Sequence, residues 1–594
     1  MTYKAPIENM MFALDAIADL TNDCVGGLHS GFSVEDARGV IEEGARFATD
    51  VLAPLNRAGD RIGARISNGD VSTVPGWRDA YVAWREAGWN AIELPAEHGG
   101  MGLPTRLASV AMEMWTSACM AFALGPVLTQ GAVETIEAHA SDALKRLWLP
   151  KLVSGEWTAT MSLTEPGAGS DLGLLRTRAV RNDDGTFLIT GAKIFITYGE
   201  HDLTDNIVHL VLARCPDAPR GTRGISLFLV PKYLVAADGS LGRRNDIRCT
   251  GLERKLGIHA SPTCAMSFGD DGGAVGWLIG KENEGLACMF TMMNKARLYT
   301  GLQGVAIAER AFQQALTYAK TRRQGRSPNA IEGPSPIIEH PDVRRNLMRM
   351  KSLISAGRAL AYAAAGAIDR SHHAPDLEAR EREKELAGLL TPIVKATCSE
   401  IGVEVTSLGV QIHGGMGYME ETGAAQHFRD ARITPIYEGT NGIQAIDLVT
   451  RKVLRSEGKC VQNLIAHFRA IGEEAAASTN SHIAISGTAV IETINSLARA
   501  TRWLEEPHRR QDELLAIASP YLKLFGVAAG AALLTKGAIF AAQSIVAGEV
   551  KPVHHDALAV AAFYAANIAV EALPLERVVT ESLARPMAIS EFAL

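Results

Sequence analysis

Cysteine is sparse in this sequence and never paired. The eight cysteines, Cys24, Cys119, Cys215, Cys249, Cys264, Cys288, Cys398 and Cys460, stand singly, and no CxxC spacing occurs. That excludes a zinc site of paired thiolates and a disulfide framework, and no other metal site is expected. Isolated thiols fit a reducing compartment, so a cytoplasmic location is expected. An excess of one charge is lacking too. There are 59 Lys and Arg against 66 Asp and Glu, a net charge of −7, which exerts no long-range pull on nucleic acid. No apolar run reaches the roughly 20 residues that cross a bilayer, so no integral membrane segment is expected. The opening, MTYKAPIENMMFALDAIADL, lacks the basic and then apolar stretches of a secretory leader.

What is present is enough apolar material for large cores: 47% of 594 residues. That length predicts several domains, because single cores rarely grow past roughly 250–300 residues. The first part reads as helix. SVEDARGVIEEGARFATDVLAPLNRAGD opens with Ser33 as N-cap and Asp36 three residues on, a capping-box spacing followed by apolar residues at helical period. Near Trp157 the pattern changes. GTFLITGAKIFITYG, NIVHLVLARC and GISLFLVPK are short runs rich in β-branched residues, bounded by Gly, Asp and Pro, which are strand and turn signals. Helical pattern returns at GLACMFTMMNKARLYTGLQGVAIAERAFQQALTYAKTRRQG and again after Pro341, a residue suited to a first helical turn. Strands grouped between helices predict a separate antiparallel domain. The expected domains are 1–157 helical, 158–279 β, 280–451 helical and 452–594 a further helical block of four helices, the third rich in Ala and Gly.

Five segments bear on chemistry. In MSLTEPGAGSDLGLLRT, Thr164 and Ser170 offer hydroxyls while Gly167 and Gly169 let backbone approach a ligand closely. The segment lacks a GxGxxG opening a βαβ unit, which disfavours a Rossmann site. In KIFITYG, Phe195 and Thr197 would share one face of a strand. In TRRQGR, Arg322 has a planar fork suited to phosphate. In QIHGGMGYMEE, Gly414, Gly415 and Gly417 follow a helical pattern. Taken singly, each reads equally as a turn, a core strand or a solvated helix end. Last, ARITPIYEGTNGIQAID holds Glu438 as its only charge from Ile433 to Ile446.

Together and in this order, these segments resemble the acyl-CoA dehydrogenase family, over roughly Glu35 to Arg451. TEPGAGSD, QIHGGMGY and IYEGTNGIQ look like its three signatures. The resemblance implies a mainly α fold with a helical N-terminal domain, a β-barrel-like middle domain and a four-helix domain. It implies non-covalent FAD shared between subunits. Met161, Leu163, Thr164, Gly169 and Ser170 would line the flavin, Ser170 also lying near the acyl-CoA. Phe195, where the family usually has Trp, and Thr197 would flank the isoalloxazine. Arg322, Gln324, Gln411, Gly414 and Gly415 would reach the FAD of a neighbouring subunit; RRQGR lacks the family's usual Phe and is one residue shorter. Asn294, replacing a more usual Asp, and Arg297 would lie on the substrate side.

The resemblance makes Glu438 the base that removes the α-proton of an acyl thioester. Its backbone N–H and a flavin ribityl hydroxyl would hold the thioester oxygen, as in an oxyanion hole. Gly439 would leave room for the thioester, and Thr440 and Gln444 would touch the cofactor. The product would be a trans-2-enoyl-CoA, as in fatty acid β-oxidation, with electrons passed to an electron-transfer flavoprotein. The start YKAPIENMMFAL and the added C-terminal block resemble the long bacterial branch, whose substrates include 3-methylmercaptopropionyl-CoA and fatty acyl-CoAs of short to long chain. The alternatives are an oxidase of the same superfamily, a DNA-associated homologue and a silent scaffold. The block from Arg451 to Leu594 has fourteen basic and fourteen acidic residues, so it has no electrostatic footprint for DNA. The expected assembly is a homodimer in which this block covers the outer face of its own core.

Overall fold

The structure is a computed structural model, and it describes residues 3–28, 31–455 and 458–581. The N-terminal domain holds α1 (Ile7–Ala16), α2 (Leu20–Val25), α3 (Val34–Phe47), α4 (Ala53–Ile62), α5 (Trp77–Glu86), α6 (Thr105–His139) and α7 (Asp142–Val153). The capping box at the start of α3 is present: the Ser33 hydroxyl accepts from Asp36 N–H, and the Asp36 carboxylate accepts from Ser33 N–H at 2.9 Å. Two features depart from the helical expectation. A small hairpin, β1 (Arg65–Ser67) and β2 (Asp70–Ser72), interrupts the helices. α6 is broken at Cys119, where φ is −156° and ψ is 89°.

The middle domain runs through β3 (Trp157–Ser162), β4 (Arg178–Arg181), β5 (Phe187–Thr197), β6 (Asn206–Ala213), β7 (Ser226–Pro231), β8 (Tyr233–Val235), β9 (Leu241–Arg244), β10 (Ile247–Leu252), β11 (Thr263–Phe268) and β12 (Ala274–Ile279). The main sheet has the order β10–β11–β5–β12–β7–β6–β3, with β4 beside β5. The expectation of an antiparallel domain needs one correction. β3 pairs with β6 in parallel, because the chain crosses to β4 and β5 before returning beside β3. β8 and β9 form a separate hairpin.

The third domain contains α8 (Gly285–Thr321), α9 (Pro341–His373), α10 (Leu377–His413), the short α11 (Gly415–Tyr418) and α12 (Ala424–Ala431), and α13 (Asn441–Asp447). Pro341 occupies the first turn of α9 as expected. A buried ionic knot ties this domain to α6. Arg358 donates to Glu113 and Glu309, and the Tyr362 hydroxyl donates to Glu113 at 2.7 Å. Such a knot is costly to desolvate, and removing one partner would strand the other.

The last block has α14 (Lys459–Ala476), α15 (Ser481–Glu505), α16 (Gln511–Val546), α17 (Pro552–Asn567) and α18 (Ala572–Glu581). The fourth expected helix is therefore two, parted near Ile568, whose φ of −120° leaves the helical range. α13 runs on into a wider π-type turn over Leu448–Val453, which contains Arg451. α16 packs on α9, α10 and α13. Residues 582–594 of the expected fourth domain lie outside the described residues.

The expectation about bilayer-length runs is also corrected. Among the described residues, four helical stretches, 105–139, 377–413, 511–546 and 552–581, are long and apolar enough to cross a membrane by length and composition. In the first three, the most apolar window is 100%, 72% and 78% buried within the protein. Their apolar character is explained by packing of α6, α10 and α16 in the core.

Candidate active site

The middle and third domains enclose a cavity of about 760 Å³, within the range of small-molecule and cofactor sites. Met161, Leu163, Thr164, Gly169 and Ser170 line it from β3 and the loop beyond. That loop is pinned from behind. Thr164 C=O accepts from Ile194 N–H at 2.9 Å. The buried Glu165 carboxylate accepts from the backbone N–H groups of Arg176 and Thr177, from the Thr177 hydroxyl and from Lys193 Nζ at 2.8 Å. Lys193 is fully buried. Burial pulls it down to about 8, and Glu165 holds it up.

Phe195 and Thr197 line the same cavity from the end of β5. They share a face as expected, but not by plain strand alternation. The β5–β11 register slips between Lys193↔Met266 and Ile196↔Cys264, so β5 carries an extra residue. Phe195 sits there at φ +60°. A bulge of this kind re-aims side chains beside a site, and Phe195 is left 57% exposed.

The segment before and into α13 supplies Ile436, Tyr437, Glu438, Gly439, Thr440 and Gln444. Glu438 has φ +58° and Gly439 φ +82°. Left-handed backbone at a glutamate costs on the order of 1–2 kcal/mol, and such strain concentrates at functional sites. The turn is held from inside. Gln444 Nε2 donates to the carbonyls of Glu438 at 3.1 Å and Gly439 at 3.3 Å. The Thr440 hydroxyl accepts from Ile443 N–H at 3.2 Å, capping α13. Among the described residues, the Glu438 backbone N–H has no acceptor. Tyr437 donates its hydroxyl to Gln303 on α8.

The carboxylate of Glu438 is exposed only in part, and it lines the cavity. Burial raises its pKa to about 7, while Arg297 and Lys395 hold it down. Burial also lowers Arg297, which Asp447 and Glu438 support. Arg297 and Arg451 each lie 5.6 Å from the Phe290 ring centroid, within cation–π range. Arg254, Lys255, Arg429 and Arg432 complete a cationic rim that the sequence did not mark out.

The remaining expected residues lie outside this lining. Asn294 is exposed and accepts from Arg297 Nη1 at 3.2 Å. Arg322, Gln324, Gln411, Gly414 and Gly415 are exposed. The helix ends that carry them meet where Tyr318 of α8 stacks on His413 of α10 at 4.5 Å. A cluster that no spacing indicated, Glu97, His98 and Glu137, brings three metal-ligand-type atoms within 4.8 Å. Lys145 already pairs with Glu137 at 3.6 Å.

Four family models match the chain in order: acyl-CoA dehydrogenase N-terminal domain over 35–156, middle domain over 160–270, C-terminal domain over 283–454, and acetyl-CoA dehydrogenase C-terminal-like over 463–590. A 3-methylmercaptopropionyl-CoA dehydrogenase of Ruegeria pomeroyi is 49% identical over 501 residues, 84% of this chain and 83% of that one. The chain belongs to the acyl-CoA dehydrogenase family. It is thereby placed among oxidoreductases. A butyryl-CoA dehydrogenase of Syntrophomonas wolfei is 37% identical, covering 77% of this chain and 75% of that one. Among solved structures, an acyl-CoA dehydrogenase of Bacillus anthracis complexed with FAD has a TM-score of 0.74 at 20% identity, over 95% of this chain and 90% of that one. That last likeness is one of fold, and it extends through the C-terminal block.

Acyl-CoA dehydrogenase membership gives the buried polar residues behind the cavity a context. Lys193 with Glu165, and Lys395 with Asn441, carry no local signature. The signal that could have found them is a single cation inside an apolar run, as in LLTPIVKAT.

Proposed function

We propose that the protein dehydrogenates a short acyl-CoA thioester between its α and β carbons, with Glu438 as base and non-covalent FAD as oxidant. The observation that carries this is a carboxylate lining a cavity, raised to about 7, beside its own backbone N–H, which has no acceptor among the described residues. A base with a pKa near the working pH combines availability with strength. Glu438 would take the α-proton onto a carboxylate oxygen. The Glu438 N–H would donate to the thioester oxygen as negative charge develops there. Gly439 adds no side chain to the turn beside the base, and Tyr437, fixed by Gln303, walls the cavity on that side.

The residues present fit a flavin. Gln444 Oε1 and Arg297 Nε are buried beside the cavity without a partner among the described residues. A Cβ at Gly167 or Gly169 would meet nothing within 4 Å, so the loop leaves open space. When bound, FAD supplies the acceptor for the hydride that leaves the β-carbon. Met161, Leu163, Thr164, Ser170, Phe195, Thr197, Thr440 and Gln444 would hold it. The cationic rim suits the phosphates of FAD and CoA.

Arg322, Gln324, Gln411, Gly414 and Gly415 would serve the FAD of a second copy. Met416 and Tyr418, 48% and 85% exposed beside them, supply apolar surface for that homodimer. Electrons would pass to an electron-transfer flavoprotein. Free thiols at all eight cysteines support a reducing cytoplasm. The acyl group is read as short because the two relatives at 49% and 37% identity are named for 3-methylmercaptopropionyl and butyryl groups. A panel of acyl-CoAs from butyryl through the thioether to palmitoyl, with anaerobic dye reduction, tests both class and chain length. Highest kcat/KM on palmitoyl-CoA would refute the short acyl group, and peroxide formation exceeding dye reduction would mark an oxidase.

A further inference from the structure

Lys395 lies midway along α10 and is 0% exposed. An ammonium is costly to bury and is found inside where it has partners. Its Nζ donates to Oδ1 of Asn441 at 3.0 Å. Asn441 is the first residue of α13, three residues past Glu438. The same side chain donates from Nδ2 to Ser399 Oγ at 3.0 Å and Glu400 Oε1 at 2.7 Å. The turn that carries the base is thus tied to α10 through one asparagine, with Lys395 on its carbonyl side.

Titratable groups around the base come from several neighbouring elements. α8 contributes Arg297, α10 contributes Lys395 and Glu400, the turn itself Tyr437, and α13 and the turn after it Asp447 and Arg451. Burial draws Lys395 down to about 7, Glu438 and Glu400 draw it up, and Arg297 opposes them. Reciprocally, Arg297 and then Lys395 lower Glu438 against its burial.

We propose that Lys395 is a positioning residue for Glu438: through Asn441 it fixes the turn that holds the base, and its ammonium favours the ionised carboxylate. This rests on the reading of Glu438 as the base. Lys395 is not among the residues that line the cavity. Its two contributions are separable, because the tether runs through Asn441 and the charge acts through space.

The test compares flavin-loaded wild type, K395Q, K395R and N441A. The Glu438 carboxyl is titrated by infrared difference spectroscopy, using E438Q to identify its band, and the acid limb of kcat/KM is followed with butyryl-CoA. An opposite charge nearby shifts a carboxyl by about one unit or more. The expected result is that K395Q moves both the infrared midpoint and the limb up by about one unit, while K395R leaves them at the wild-type position. N441A, which keeps the lysine, is expected to lower kcat about tenfold through misplacement of the base, with the infrared midpoint little moved. Coincident titrations of K395Q and wild type, with stability or flavin content alone reduced, would overturn the charge role. Unchanged kcat in N441A would overturn the tether. Normal flavin bleaching by E438Q would remove the base reading, and this inference with it.

Discussion

Gly526 of α16 rests directly on Thr397 of α10, so closely that a Cβ at position 526 would overlap the threonine hydroxyl. Gly530, one turn on, meets Tyr564 and Ala356 in the same way. Small residues here let the C-terminal block lie against the core, and α16 reaches α13, which follows Glu438. Gly526→Val is expected to lever α16 away, at about 1–3 kcal/mol for overpacking. Limited proteolysis should then release a fragment near Lys459 that the wild type retains. Identical digestion patterns would contradict this packing role.

Arg322→Ala is expected to weaken flavin retention about 10–100-fold, the worth of a charge-assisted hydrogen bond. Acyl-CoA binding should change little, since Arg322 lies outside the cavity lining. The flavin-to-protein ratio after gel filtration reads this directly. Full occupancy, with sedimentation the same as that of the wild type, would count against the role.

Acid should destabilise the fold below pH 6.5 for an identifiable reason. His201, His209 and His427 are buried, and burial depresses each to about 3. The unfolded chain binds protons at these rings from pH 6.5 downward and the folded chain does not. Stability is therefore full above 6.5 and falls as pH drops toward 3, by about 1–2 kcal/mol per ring at pH 5. His209→Gln, which can still meet the Thr160 hydroxyl that His209 contacts at 2.8 Å, should show a shallower decline in thermal midpoint between pH 7 and 5. A parallel decline would refute the assignment.

The rate should carry a single acid limb near pH 7. Glu438 accepts a proton only when ionised, and burial raises it to about 7. kcat/KM is expected to fall about tenfold per unit below that point. A profile flat down to pH 5 would mean that the group accepting the proton is not this carboxyl.

Much of this arrangement was legible because it is local. The Ser33 and Asp36 capping box, Pro341 at the start of α9, and β5, β6 and β7 each follow from spacing within a few residues. Met161 to Ser170, Phe195, Thr197 and Glu438 to Gln444 came from short motifs whose order matched a known family, whereas Arg254, Lys255, Arg429 and Arg432 did not. What stayed hidden depends on pairing across long separations. The parallel partner of β3 lies beyond two intervening strands. The bulge at Phe195 exists only against Cys264 and Met266. Lys395 faces Asn441 across 46 positions, and nothing in LLTPIVKAT says what its ammonium meets. The C-terminal block read as four helices because the turn at Ile568 has no glycine, and the next proline, Pro574, already lies in the first turn of α18.

The most direct test is anaerobic mixing of an acyl-CoA with Glu438→Gln and wild type, each carrying equal flavin, while the flavin absorbance is followed. The substitution keeps the shape of the side chain and removes the base. The expected result is an unchanged flavin content and bleaching slowed by about 10²–10⁴-fold. Bleaching at the wild-type rate would contradict the assignment of Glu438 as the base.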